Sequence, residues 1–118
     1  MALGADHCVE CIAGYYCSTR GATNVITASA SFDVGELLST VERLKVSHIA
    51  FMAPTQIIKM LEDHVPGRHA LSSLKAICYG GAPIYVDQLK QAIATFGPVF
   101  VQLYGQGEAP ITITGLTA

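Results

Sequence analysis

With 118 residues the chain is long enough for one domain with a core, but only 14% of its residues are charged against roughly 25% in an ordinary soluble domain, while 51% are hydrophobic. The formal net charge is −2 and the seven Lys and Arg are scattered, so nothing points to nucleic acid, and no apolar run reaches the roughly eighteen residues of a bilayer span. The start MALGADHCVE has neither the positive end nor the apolar stretch of a signal peptide, so a cytoplasmic protein is expected.

In chain order, Asp6–Thr19 reads as a helix stopped at Gly21, a residue suited to a helix C-terminus. Ala22–Thr27 reads as a short strand. Asp33 with Glu36 three residues on resembles a capping box, and Val34, Leu37, Leu38, Val41 and Leu44 then follow at helical spacing. His48–Met52 is an apolar run of strand length, and Pro54 suits the first turn of a helix through Glu62. HVPGRHA is a loop, because Pro66-Gly67 is a turn signal. Lys75–Tyr79 is a strand; Val86, Leu89, Ile93 and Phe96 give the next helix one sheet-facing side until Gly97-Pro98 ends it. Pro98–Leu103 and Ile111–Thr114 complete the strands. Alternating strands and helices predict right-handed crossovers and a three-layer α/β fold, with a mostly parallel sheet of four to five strands flanked by helices in one domain over 1–118.

Three of the four cysteines, Cys8, Cys11 and Cys17, lie near His7, whereas Cys78 stands apart. The C-x-x-C spacing invites a zinc reading, but no second ligand pair arrives, so buried cysteines acting as small hydrophobes are the preferred reading. The low charge predicts an apolar face left for an interface and self-association, most simply as a two-fold dimer.

Two glycine-rich turns carry the functional signal. CYGGAP places Gly80 and Gly81 after one apolar strand, and QLYGQGE places Gly105 and Gly107 after the next. Turns at the ends of neighbouring parallel strands share the rim where open α/β sheets bind ligands, and glycine lets a ligand approach the backbone. Tyr104 adds a flat aromatic surface there, and Glu108 a carboxylate.

GGAP, a helix, and then Gln102 to Glu108 resemble the adenylate-forming enzymes: acyl- and aryl-CoA synthetases, luciferases and adenylation domains of peptide synthetases. RGATNVI, the run SFDVGELLSTVERLKVSHIAFMAPTQIIKML and His7 agree with that family in order. The resemblance implies activation of a carboxylic acid by ATP to an acyl-adenylate, followed by transfer to a thiol such as coenzyme A. It implies that Gly80, Gly81 and Ala82 line the ligand through their backbone and that Tyr104, beside Gly105 and Gly107, packs on adenine. Gln102 and His7 would edge the acid pocket, and Glu108 would help to hold Mg²⁺ beside the phosphates.

The family's phosphate loop, its ribose-binding aspartate and its C-terminal lysine have no counterparts here. The chain is therefore expected to resemble an internal slice of the large AMP-binding domain, without a complete catalytic set and inactive unless segments carrying those parts join it. An alternative is a stand-alone binding or oligomerisation module derived from the family. Gly107 stands where the family usually has threonine, whose hydroxyl would bond a phosphate oxygen. A receiver domain would want acids at the ends of AFMAP and CYGGAP, and a dinucleotide-binding domain a G-x-G-x-x-G after its first strand; neither pattern is present.

Overall fold

The computed structural model describes residues 18–27, 29 and 31–117. His7, Cys8, Cys11, Cys17 and most of the expected first helix lie outside them. Ser18 and Thr19 are helical, and Gly21, at φ 74°, donates its N–H to Ser18 O at 3.1 Å, so the glycine stop stands where expected. Ala22–Thr27 is not a strand. Ile26 is 72% exposed and the segment joins no ladder; a strand needs a partner for its backbone, which β-branched residues alone do not supply.

Helix α1, Val34–Leu44, begins where Asp33 accepts the Glu36 N–H at 2.7 Å, one of the four donors a helix start leaves open. It ends at Lys45, whose left-handed φ of 52° turns the chain away. Val34, Leu37, Leu38 and Val41 are buried, but Leu44, expected on the same face, is half-exposed because the helix stops there. Strand β1, His48–Met52, leads into α2, Pro54–Asp63, with Pro54 in the first turn and Gln56 Oε1 accepting the Ala53 N–H at 2.8 Å. Strand β2 is Ala76–Tyr79, and α3 is Val86–Phe96. Its inward face is Leu89, Ala92 and Phe96, whereas Val86 and Ile93, expected inward, are exposed. The small, fully buried Ala92 sets the rotation of this helix.

Strands β3, Phe100–Gln106, and β4, Ala109–Leu116, complete a mixed α/β fold with sheet order β1-β2-β3-β4. The pairs β1–β2 and β2–β3 are parallel, and β3–β4 is an antiparallel hairpin. Ile49, Ile77 and Phe100 are register partners and therefore share one face. They join the buried residues of all three helices in one core with Met52, Ile57, Met60 and Tyr79. α2 and α3, which connect β1 to β2 and β2 to β3, pack against each other on that same face, as same-handed crossovers require. The carboxyl ends of three parallel strands consequently meet at one edge.

Candidate functional site

At that edge β1 carries a bulge. Ile49 faces Ile77 and Met52 faces Tyr79, so β1 takes three steps where β2 takes two. The extra residue re-aims Phe51, whose ring lies beside the glycine turn that follows β2. A Cβ built on Gly80 would fall on the carbonyl oxygen of Leu103 in β3 and 3.4 Å from Phe51 Cε2. The Gly80 N–H donates to Met52 O at 3.2 Å. Gly80 is thus clasped between the ends of β1 and β3, a place only glycine fits. Gly81 follows at φ 80°, a left-handed conformation, with Phe51 Cζ 3.6 Å from its Cβ position. Gly81 and Ala82 are exposed, leaving their backbone open at the rim.

The second motif is shaped differently from a simple glycine loop. Tyr104, Gly105 and Gln106 are still strand, and the turn of the β3–β4 hairpin is only Gly107-Glu108. Tyr104 is 50% exposed, and its hydroxyl accepts a bond from Gln106 Nε2 at 3.2 Å. Gly107 has nothing within 4 Å of its Cβ position and no positive φ, so nothing in the backbone requires glycine there. Glu108 is exposed at the tip. Gln102 is half-buried and accepts a hydrogen bond from the Tyr79 hydroxyl at 3.3 Å. Burial pushes the Tyr79 phenol pKa up, so it stays protonated.

The fold therefore brings Gly80 against Leu103, the neighbour in β3 of Gln102 and Tyr104, while Gly107 and Glu108 sit further along the hairpin. Among the described residues no group of three His, Cys, Asp or Glu side chains could hold a metal. Glu108 alone suits Mg²⁺ as one oxygen ligand, provided phosphates and water supply the others, the way that ion is usually held. Phe51 and Tyr79 were missed by the sequence reading. Phe51 reaches the turn through a bulge with no local signal, and Tyr79 read only as the end of a strand.

A mostly parallel sheet with a glycine clasp, an aromatic surface and a side-chain amide at its carboxyl edge has the layout of the open α/β class, whose ligands bind at that edge. Comparison with known proteins narrows this class. The model of the AMP-binding enzyme family matches residues 1–117, and the chain belongs to that family. It is 40% identical over 89 residues to the medium/long-chain-fatty-acid–CoA ligase FadD8 of Mycobacterium tuberculosis, covering 74% of this chain and 15% of that one. The amide bond synthetase McbA of Marinactinospora thermotolerans superposes with a TM-score of 0.69 at 34% identity, over 75% of this chain and 18% of its own. The N-terminal domain of FACL13 from M. tuberculosis shares the fold at a TM-score of 0.81 and 21% identity, over 99% of this chain and 28% of that one. The chain thus spans only a minor part of the length of each. No helix among the described residues is long and apolar enough to cross a membrane.

Proposed function

We propose that this chain is the acyl-adenylate rim of an ATP-dependent acyl-CoA synthetase: one α/β unit of its AMP-binding domain, acting in the cytoplasm on a carboxylic acid, with coenzyme A as the eventual acceptor. The observation that carries the reading is the clasp of Gly80 between the end of β1 and Leu103 of β3, the residue before Tyr104. In this reading the open backbone of Gly81 and Ala82 and the face of Tyr104 enclose the adenine. Gln102 and His7 border the acid, and Gly105 and Gly107 leave room for the phosphate. Glu108 contributes one Mg²⁺ ligand, and the ion neutralises phosphate charge when bound.

In this reading the described residues of the rim bind and orient, and none of those named above acts as a nucleophile. Groups that act as a unit lose nearly all rate when part of the set is removed. The isolated chain is therefore inactive and holds adenosine nucleotides no tighter than about 1 mM, equivalent to roughly −4 kcal/mol. Titration of labelled chain with an acyl-adenylate analogue and Mg²⁺ tests the reading: amide shifts confined to Gly80–Ala82 and Tyr104–Glu108 support it, and their absence in a folded sample at millimolar ligand rejects it. Pyrophosphate release by the purified chain would show that it is not merely a rim.

A second reading, an association module without ligase chemistry, is favoured by β4. This edge strand, Ala109–Leu116, carries no charged residue, and Ile113 and Leu116 are 44% and 65% exposed. Charges normally guard such edges against pairing with another chain.

A further inference from the structure

Tyr79 is the last residue of β2 and is 1% exposed, immediately before the glycine turn. Its ring is fixed by the core, edge-on to Phe100 with centroids 6.2 Å apart. A buried phenol needs a partner for its hydroxyl, and here that partner is the Oε1 of Gln102, its register neighbour on β3. In this bond the hydroxyl donates and the amide oxygen accepts. Oε1 is turned to Tyr79, and the two Nε2 protons face away from it. Without that hydroxyl the half-buried Gln102 would be free to present either its oxygen or its nitrogen.

The geometry points to Tyr79 as a positioning residue: it holds the Gln102 amide so that its NH₂ donates to an acceptor oxygen, a carboxylate or acyl-phosphate oxygen, of a ligand at the Gly80–Tyr104 rim. This inference rests on the rim reading above and adds to it the chemistry that Gln102 offers. With its oxygen occupied, Gln102 favours oxyanions and carbonyls over amines at this point. Tyr79 itself, buried beneath, need not touch the ligand.

The test uses ¹⁵N-labelled chain and watches the Gln102 side-chain amide by NMR, first free and then with an acyl-sulfamoyl adenosine as a non-hydrolysable acyl-adenylate analogue. In the free protein the expected result is a Gln102 side-chain amide whose ¹⁵N relaxation marks an immobilised group, becoming mobile in Tyr79→Phe, which keeps the ring and its packing. If the wild-type amide is disordered, or Tyr79→Phe leaves it unchanged, the positioning role is overturned, and the wild-type arm holds even if the variant folds poorly. With ligand, the Gln102 protons are expected to shift, and Tyr79→Phe to bind about two- to tenfold more weakly, as for loss of one neutral hydrogen bond. Ligand shifts that spare Gln102 overturn the inference while leaving the rim reading intact. An ordered amide in a chain that never binds the analogue overturns the rim reading and with it the donor role, while showing the Tyr79–Gln102 pair itself to be real.

Discussion

Replacing Gly80 by alanine tests the architecture of the rim most directly. The added methyl would meet the Leu103 carbonyl oxygen, with Leu103 C at 3.3 Å and Phe51 Cε2 at 3.4 Å. The ring can shift, but the carbonyl is part of the β3 backbone and cannot yield without moving a strand. Overpacking a core costs typically 1–3 kcal/mol, and a backbone obstacle puts Gly80→Ala at the upper end, about 3 kcal/mol. That is roughly a fifth to three fifths of the stability of a typical domain, about 5–15 kcal/mol. In a domain of this size the melting temperature should fall by roughly 10 °C or more.

Two further alanines calibrate the effect. Gly81→Ala has room but a left-handed φ of 80°, and should cost about 1–2 kcal/mol. Gly107→Ala meets nothing within 4 Å at an exposed turn and should stay within about 0.5 kcal/mol of wild type. Urea and thermal unfolding followed by circular dichroism would read all three. A Gly80→Ala protein as stable as wild type, or one no worse than Gly107→Ala, would refute the clasp.

Gly107→Thr should fold with unchanged stability, because its Cβ position is open, and should tighten binding of the acyl-adenylate analogue by restoring the family's hydroxyl; calorimetric titration reads the gain, and unchanged affinity would remove Gly107 from the phosphate side of the rim. Glu42 accepts from the His69 ring nitrogen at 3.1 Å and from the Ala70 N–H at 3.2 Å, and these bonds hold its carboxyl below the ordinary 4.5. A depressed carboxylate stabilises the fold above its unfolded pKa and loses that contribution as pH falls through the folded one. Unfolding at graded pH below about 5 should therefore show a steeper loss in wild type than in Glu42→Gln, and parallel profiles would deny the link between α1 and the loop before β2. Finally, if copies associate through β4, Ile113→Lys should lower the average mass seen by sedimentation at high concentration; an unchanged mass would place any interface elsewhere.

Much of the chain was legible because its signals are local. Asp33 caps α1, Pro54 opens α2, and His48–Met52 is a strand with the expected bounds, since each depends on neighbours a few residues away. The glycines at 80 and 81 also announced a turn, and the order of the motifs announced the family. Ala22–Thr27 misled because a short stretch with β-branched residues becomes a strand only when a partner edge is present. Val86 and Ile93 misled because the buried Ala92, a small residue without hydrophobic prominence, sets how α3 meets the sheet.

The sequence by itself determined the local elements, the family and the two glycine motifs, because helix caps, turn chemistry and hydrophobic period act over a few residues. Only the tertiary structure decided that Gly80 is clasped under the Leu103 carbonyl, that a bulge turns Phe51 onto the glycine turn, and that the Tyr79 hydroxyl meets the Gln102 amide oxygen. These contacts join residues of different strands. Their geometry depends on ladder register and core packing, which no short window of sequence contains.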